Sequence, residues 1–480
     1  MTALGPTSAA ADAATRVVPP GVADRIEHLG TQIQQLSAQQ QELMSVIGLG
    51  GAPQQTWLEV LNGYLAVLVI AFLVTVCTIP LLRKLAVSNG IVDRPDARKV
   101  HRMPIAYLGG VGVYLGIMAG ILISYVGVRY PGLVGFHITP FITASEHPLL
   151  VPPWILGGLT IIMFIGLYDD IMGISPRVKV GGQLLAAAAL AYGDVGVNLA
   201  EGVLSPTLGA LLNDRDLVWT FDLPMALPLI GGALELDLIY WTGTAVIAIF
   251  VLGACNASNL IDGLDGLLSG VTAIACLGLL AIAIMVVFDD PGRRDSQRIV
   301  LCLAVLGACL GFLPHNFNPA TIFLGDCGSL LLGFSTIVII LTLGDKGRTD
   351  LVIAGLVIYA IPILDTALAI VRRKLAGKKM SDPDSNHLHH MLKRALGVKG
   401  AVFVLYGIGS SFAVIGVLLA ASGARLIYTL ALLCAAFIVV YSIKLARKKQ
   451  IEEQILAAEA AGAQRAIAEV TPEPEPAGAP

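Results

Sequence analysis

The chain has 480 residues, of which 56% are hydrophobic and only 14% are charged. A soluble domain carries roughly a quarter charged residues, so charge this sparse cannot cover a surface that faces water, and lipid must solvate most of the chain. The formal net charge of −3 leaves no basic surface to neutralise phosphates along a duplex, which excludes nucleic-acid binding as a function.

The first segment, residues 1–55, is polar and rich in Ala and Gln. No apolar core follows a basic start, so a cleaved signal peptide is not expected. Apolar residues recur from Val22 to Ile47 at alternating steps of three and four, which predicts a helix with a heptad stripe. Two interpretations stay open: a coiled coil that makes a homo-oligomer through 22–47, or an amphipathic helix docked on the bundle or at the membrane interface.

Eleven apolar spans follow, and most approach the roughly 20 residues that cross a bilayer. They cover approximately residues 60–82, 107–126, 149–167, 180–191, 238–255, 267–288, 299–313, 329–343, 351–371, 401–420 and 426–443. The fourth span is short. The polar connection 193–237 contains Gly, Pro and alternating apolar residues, a composition compatible with a hairpin.

The predicted fold class is therefore an all-α polytopic membrane protein with about eleven transmembrane helices. Its expected domains are an N-terminal extension (1–55), a transmembrane domain that would carry any active site (56–448) and a tail (449–480). The tail is rich in Ala and Glu and has a disordered composition.

The placement of Lys and Arg predicts the orientation of the bundle. The odd-numbered loops and the C-terminal tail hold 21 of the 31 basic residues. Because cytoplasmic loops carry the basic excess, we expect the odd loops and the C-terminus in the cytoplasm and the N-terminus outside, in a cell (inner) membrane.

Unusual polar clusters fall on these same odd-numbered loops. They are DRPDARKVH (93–101), the adjacent pair Asp169 and Asp170, NASNLIDGLD (256–265), PHNFNPATIFLGDCGS (314–329) and HLHH (387–390). Five loops on one face predict a single site at the boundary between membrane and cytoplasm.

Five carboxylates stand out in these clusters: Asp169, Asp170, Asp262, Asp265 and Asp326. Gathered in one cleft, they would repel each other and raise each other's pKa values. A hard cation such as Mg²⁺ relieves this repulsion, because it takes oxygen ligands and shares its remaining positions with substrate phosphates. Each single Asp could instead cap a helix end or meet interfacial water.

Basic and amide groups lie on the same face. The candidates are Arg98, Lys99 and His101 in loop one, His387, His389 and His390 in loop nine, and the amides of Asn259 and Asn316. The cations suit phosphate oxygens, although the loop-one charges could serve topology alone. Both Asn residues suit phosphate or nucleobase groups, or simple turns. A zinc site at the histidines is disfavoured, because two of them are adjacent and no Cys joins them.

Carboxylates with a divalent metal beside cations at a lipid boundary indicate phosphoryl chemistry on a membrane-embedded substrate. A transporter for a phosphorylated solute is the main alternative, but transporters tend to place ionisable residues near the bilayer midplane. Asp365, after Pro362, is the exception, and we interpret it as a support group near the cytoplasmic end. An inactive scaffold that assembles through the N-terminal helix is a third hypothesis, and the complete set of Asp residues counts against it.

Taken together, the motifs resemble the polyprenyl-phosphate N-acetylhexosamine-1-phosphate transferase family, of the glycosyltransferase family 4 type. The matching segments are D-x-P-x-x-R-K-x-H (93–101), GLYDD (166–170), NASNLIDGLDGL (256–267), FLGDCGS (323–329) and HLHH (387–390), within about residues 60–445. The resemblance implies transfer of a sugar 1-phosphate from a UDP-N-acetylhexosamine to polyprenyl phosphate, with release of UMP. It also implies Mg²⁺, or Mn²⁺ in its place, as the cofactor.

The resemblance also implies roles for individual residues. Asp326 would be the principal metal ligand with Asp170 beside it, and Asp169 with Asp170 would help to activate the lipid phosphate or support the metal. The implied catalytic residues are Asp169, Asp170, Asp262 and Asp265, and the implied substrate-binding residues are Arg98, Lys99, His101, Asn259, Asn316, His387, His389 and His390.

Two branches of this family are candidates. HLHH is similar to the undecaprenyl-phosphate N-acetylglucosamine-1-phosphate branch, which initiates cell-envelope polysaccharide synthesis. The phospho-N-acetylmuramoyl-pentapeptide branch of peptidoglycan synthesis usually has three consecutive histidines, which this chain lacks at 387–390. One departure from the first branch is Ser385, at a position where its members commonly carry Arg.

Overall fold

A computed structural model describes residues 56–93, 104–130, 150–227, 231–289, 294–375, 388–423, 426–427 and 429. The N-terminal extension with its heptad stripe, the C-terminal tail and nearly all of the eleventh predicted span lie outside these residues. Four candidate site residues, Arg98, Lys99, His101 and His387, also lie outside the described residues, as does Ser385.

The described part contains eleven helices of ten or more residues. They are α1 (Trp57–Ser88), α2 (Gly109–Arg129), α3 (Pro153–Met172), α4 (Pro176–Tyr192), α5 (Leu238–Ile261), α6 (Leu267–Asp289), α7 (Asp295–Asn316), α8 (Gly325–Leu343), α9 (Thr349–Ile358), α10 (Ala360–Leu375) and α11 (Leu388–Ser422). Helices satisfy their own backbone hydrogen bonds, which lipid requires of a spanning segment.

Local signals start several of these helices. Pro153 and Pro176 begin α3 and α4, where the missing N–H costs nothing. The Ser175 hydroxyl accepts from the Val178 N–H at 3.4 Å, and the Asp237 carboxylate accepts from the Tyr240 N–H at 2.8 Å. These caps satisfy donors that the first turn of a helix leaves open.

Eight helices of the described residues are long and apolar enough to cross a membrane. Two further helix pairs pass only as bent spans: α4 with residues 197–212, at 82°, and α9 with α10, at 80°. The described residues therefore hold eight spans, or up to ten, and the prediction of an all-α polytopic membrane protein is confirmed. The predicted number of eleven is not.

The long connection before α5 contains the hairpin that its composition allowed. Strand β1 (Val218–Leu227) pairs antiparallel with β2 (Gly231–Asp237), and Val218 lies opposite Asp237. A second, two-residue pairing joins Val92–Asp93 to Ile105–Ala106, directly before α2. This small pairing brings the described ends of loop one together.

Helix α8 is the most enclosed part of the described bundle. Within its most apolar stretch of 18 residues, 94% are buried, and α8 packs against α2, α3 and α5. Glycines permit the closest approaches: a Cβ on Gly110 would lie 2.1 Å from the Gly328 nitrogen, and one on Gly166 would lie 2.4 Å from the Cys327 Cα. The beginning of α8, which carries Asp326, is therefore held at the centre of the helices around it.

Candidate active site

A cavity of about 480 Å³ lies at the end of the bundle where α5 ends and α8 begins. Its polar lining combines acids, amides and cations from separate loops: Asp93, Asn259, Asp262, Asp265, Asn316, Asn318, Asp326, His390 and Lys393. The structure thus brings together the described ends of loops one, five, seven and nine. That these loops form one catalytic site stays a prediction.

Asp326 is fixed on two sides in the first turn of α8. Its Oδ1 accepts a hydrogen bond from the Asn259 Nδ2 at 2.7 Å, and the same amide donates to the Ser329 hydroxyl at 2.9 Å. Its Oδ2 pairs with the Lys179 ammonium, which also pairs with Asp169. The Asp326 side chain keeps 31% of its surface exposed, so the carboxylate still faces the cavity.

Asp170 holds the backbone of the turn that carries Asp326. Its Oδ1 accepts from the Asp326 N–H at 2.7 Å, and its Oδ2 accepts from the Cys327 N–H at 2.9 Å. A carboxylate at a helix N-terminus is also favoured by the helix dipole. Gly325 has a φ of +72°, and a Cβ there would lie 2.5 Å from Asp170 Oδ2, so only glycine suits this turn.

Asp169 lies beside this turn but does not line the cavity. Its Oδ1 accepts from the Ile174 N–H at 2.9 Å, and its Oδ2 meets Lys179. The catalytic roles predicted for Asp169 and Asp170, and the metal ligation predicted for Asp170, stay predictions.

The two acids of loop five have different surroundings. Asp265 Oδ2 accepts from the Asn318 Nδ2 at 2.8 Å and from the Ala320 N–H at 3.1 Å, which ties loop five to loop seven. No described residue donates a hydrogen bond to the Asp262 carboxylate. Loss of hydration, reinforced by the charges of Asp326, Asp170 and Asp265, raises the pKa of Asp262 to about 8.

Asn316 lines the cavity, and its side-chain amide also connects two loops. It is 5% exposed, its Oδ1 accepts from the Gly266 N–H at 3.0 Å, and its Nδ2 donates to the Ile322 carbonyl at 3.1 Å. Its amide therefore orders the two loops that carry Asp265 and Asp326. Contact between Asn316 and a substrate stays a prediction.

The two described histidines of the HLHH segment, His389 and His390, lie at the start of α11. His390 lines the cavity, whereas His389 is 2% exposed and lies behind it. Their rings are 4.2 Å apart between centroids. The two adjacent histidines thus occupy different environments.

Sequence reasoning did not assign Lys179 or Tyr107 to the site. Lys179 directly precedes the shortest apolar span and lies in the same predicted loop as Asp169 and Asp170. A lysine so close to two acids was the signal in the sequence that could have assigned it to the site. Tyr107 lines the cavity, and burial together with Asp93 raises the pKa of its phenol. The phenol therefore stays protonated and can donate a hydrogen bond.

The donor set of the cavity suits Mg²⁺. Among the described residues, no three His, Cys, Asp or Glu side chains gather as a ready-made metal cage. Mg²⁺ is usually held by one or two carboxylates, with water and substrate phosphates in its other positions. Asp326 and Asp262 offer hard oxygen atoms in one cavity, whereas the described residues form no closed ligand sphere of the kind that structural zinc requires.

Known proteins match most of the chain. The profile of glycosyl transferase family 4 matches residues 153–344. A probable undecaprenyl-phosphate N-acetylglucosaminyl 1-phosphate transferase of Bacillus subtilis (strain 168) is 32% identical over 358 residues, 73% of this chain and 85% of that protein. A decaprenyl-phosphate N-acetylglucosaminephosphotransferase of Mycolicibacterium smegmatis is 32% identical over 342 residues, 68% of this chain and 74% of that protein.

A third relative is slightly less similar in sequence. The undecaprenyl-phosphate alpha-N-acetylglucosaminyl 1-phosphate transferase of Escherichia coli (strain K12) is 29% identical over 358 residues, 73% of this chain and 82% of that protein. The names of all three relatives combine a polyprenyl phosphate with the transfer of N-acetylglucosamine phosphate.

Proposed function

The chain belongs to glycosyl transferase family 4, and we propose from this that it is a membrane enzyme which transfers N-acetylglucosamine 1-phosphate from UDP-N-acetylglucosamine to polyprenyl phosphate. The products are a polyprenyl-diphosphate sugar and UMP. The observation that carries the proposal is the match to relatives of this activity over 73% of the chain. The cavity between α5 and α8, lined by Asp262 and Asp326, supports it.

The reaction exchanges one phosphoryl bond for another. An oxygen of the lipid phosphate attacks the phosphorus that bears the sugar, the bond from that phosphorus to the bridging oxygen breaks, and the electron pair leaves with UMP. Because the attacking group is already an oxyanion, direct attack requires no covalent intermediate on the protein. Such transfers depend mainly on positioning and on stabilisation of charge.

The chain positions these groups through its fixed carboxylates. Asn259 and Lys179 orient Asp326, and the backbone bonds to Asp170 fix the turn beneath it. We propose Asp326 as the principal ligand of Mg²⁺, with Asp262 facing the same cavity; when bound, Mg²⁺ neutralises charge on the diphosphate.

A panel of donors tests the reaction and its sugar. Purified protein in detergent should release UMP from UDP-N-acetylglucosamine only when Mg²⁺ and polyprenyl phosphate are both present. UDP-N-acetylgalactosamine and UDP-N-acetylmuramoyl-pentapeptide should react more slowly, and the latter tests the peptidoglycan branch. If no donor is turned over and Asp326→Ala behaves like the unaltered protein, the proposal is wrong.

We propose that the cavity faces the cytoplasm, with the N-terminus outside, because basic residues concentrate on the cavity side. Asn89 is exposed near the cavity end, and Asp216 is exposed in the connection before the hairpin. With Cys77 and Cys434 replaced, Asp216→Cys should react with an impermeant maleimide in intact cells. Asn89→Cys should react only after permeabilisation, and the reverse pattern would contradict this orientation.

A further inference from the structure

Asp365 on α10 contacts the first two residues of α11. Its Oδ1 accepts a hydrogen bond from the Leu388 N–H at 2.8 Å, and its Oδ2 lies 3.5 Å from the Nδ1 of His389. Asp365 is 2% exposed. A carboxylate this deeply buried is retained only with favourable partners, and here one partner is the N-terminus of a helix, whose dipole favours negative charge.

The opposite edge of the His389 ring meets loop five. A Cβ on Gly263 would lie 2.6 Å from the His389 Nε2, so the imidazole is in close contact with the glycine that follows Asp262. His389 is itself 2% exposed. The ring therefore fills the space between α10 and the Asp262–Gly263 turn of the cavity.

Helix α10 is anchored to the same end of α5 at a second point. Tyr359, at the 80° break between α9 and α10, is fully buried, and its hydroxyl lies 2.5 Å from the Ser258 Oγ. The Ser258 carbonyl accepts from the Asp262 N–H at 3.2 Å. The break and Asp365 thus both fix α10 against the turn that carries Asp262.

We propose that Asp365 is a positioning residue for the transfer reaction, which holds His389 between α10 and the Asp262–Gly263 turn and thereby keeps His390 and Lys393 at the cavity. This inference rests on the proposed function. His390 and Lys393 are three residues apart on one helix and share a face, and both line the cavity. Side chains that donate hydrogen bonds at this position suit the diphosphate of the donor.

Kinetics of two variants test the proposal. Asp365→Asn keeps an acceptor for the Leu388 N–H but removes the charge, and Asp365→Ala removes both. Since misplacement of about 1 Å can cost about 100-fold in rate, we expect kcat/KM for UDP-N-acetylglucosamine to fall about tenfold in Asp365→Asn and about 100-fold in Asp365→Ala. Asp365→Glu should recover part of the loss.

Asp350 provides a matched control. It is 3% exposed on α9 and pairs with Arg348 at 3.0 Å, away from the cavity. Asp350→Asn should leave kcat and KM within twofold of the unaltered protein. A double-mutant cycle of Asp365→Asn with His389→Gln should be clearly non-additive, because one residue acts through the other; additive losses would contradict the proposal.

A labelling experiment reads the position of His389 without activity. Diethyl pyrocarbonate followed by mass spectrometry should modify His389 several-fold faster in Asp365→Ala than in the unaltered protein or in Asp350→Asn. Unchanged labelling and kinetics in Asp365→Ala would overturn the inference. If the unaltered protein turns over no donor, the proposed function fails, and the labelling still decides whether Asp365 positions His389.

Discussion

The aspartates of the site differ in what occupies their oxygen atoms. Asp170 and Asp265 accept backbone N–H groups and hold loops together. Asp169 and Asp326 share the Lys179 ammonium. The Asp262 carboxylate receives no hydrogen bond from the described residues and faces the cavity. Of the five, we therefore expect Asp326 and Asp262 to respond most strongly, in protonation and hydrogen bonding, to a ligand in the cavity.

Binding of Mg²⁺ should strengthen as the pH rises from 6 to 9. Asp262 has a pKa raised to about 8, so below that pH a proton occupies the carboxylate and competes with the cation. Without Mg²⁺, the free energy of unfolding should fall as the pH rises towards 8, because the folded state holds this proton more tightly than the unfolded chain. Calorimetric Mg²⁺ titrations and thermal unfolding at several pH values measure both effects.

Asp262→Asn is the control for that prediction. Its Mg²⁺ affinity should be lower and should rise less steeply with pH than that of the unaltered protein. Equal pH dependence in the variant and the unaltered protein would mean that another group titrates.

Lys179→Met should lower stability in the absence of Mg²⁺. The substitution leaves Asp169 and Asp326 facing each other without the cation that both contact. The pair is only partly exposed, so we expect a loss of about 1–3 kcal/mol, seen as a lower midpoint of thermal unfolding in EDTA. Lys179→Arg keeps the charge and should lose less; the opposite order would argue against an electrostatic role.

At this scale, the sequence located the acids but not their partners. Motif reasoning placed Asp262 and Asp326 at one site, and the cavity contains both. It gave no indication that Asp170 caps α8 or that Lys179 bridges two acids, because both contacts join segments from different helices. Motif reasoning treated Asn316 as a donor to substrate or a turn residue, whereas its amide is occupied within the fold.

Between helices, close contacts through glycine hold α8 in place. Gly110 on α2 meets the backbone of Gly328, and Gly166 on α3 meets the backbone of Cys327. Small residues let helices approach closely in lipid, where packing rather than water exclusion drives association. These contacts fix the height and direction of the α8 N-terminus, and therefore the position of Asp326.

Gly110→Ala should destabilise the protein and impair transfer. Its new methyl group would lie 2.1 Å from backbone rather than from a flexible side chain, so whole helices must shift. Overpacking of this kind costs about 1–3 kcal/mol. Gly157→Ala on α3 is the matched control, since nothing lies within 4 Å of its Cβ position. Thermal unfolding and UMP release should separate the two variants, and equal behaviour would contradict the packing argument.

Hydropathy predicts where the helices lie along the chain but not where they bend. Each of the first ten predicted spans corresponds to helix in the described residues. The span at 351–371 is continuous in hydropathy, yet the chain turns by 80° between α9 and α10. Helix α7 begins earlier than its apolar span, and its first turns are charged. Arg298 Nη1 pairs with Asp295 Oδ1 at 2.7 Å, and Arg298 Nε donates to the Thr342 carbonyl at 2.9 Å. These contacts let the charged residues lie inside the protein.

For the molecule as a whole, the two ends of the bundle use charge differently. At the cavity end, Lys179 pairs with Asp169 and Asp326, but the Asp262 carboxylate receives no hydrogen bond from the described residues and lines the cavity. At the start of α7, Arg298 and Asp295 pair within the protein, and at the start of α9, Arg348 pairs with Asp350. This asymmetry favours one reaction site at one membrane surface over a pathway through the bilayer, which a transporter would need.

Removal of residues 1–55 should change assembly rather than chemistry. The cavity is lined by residues from 93 to 398, so UMP release should persist in the shortened protein. If the heptad stripe forms a coiled coil, cross-linking in membranes should give oligomers with the full chain and mainly monomers without it. Leu29→Glu with Leu36→Glu in the full chain is the point-variant control, and an unchanged oligomer would remove this role.

The cavity between α5 and α8 has a practical consequence. Walls of the cavity come from stretches that are far apart in sequence, α5 on one side and the start of α8 on the other. A small molecule that contacts both helices binds only the folded protein. Ligands that bind the folded state raise the melting temperature of the protein. Melting temperature in detergent therefore offers a direct screen for inhibitors, with no need for a labelled sugar.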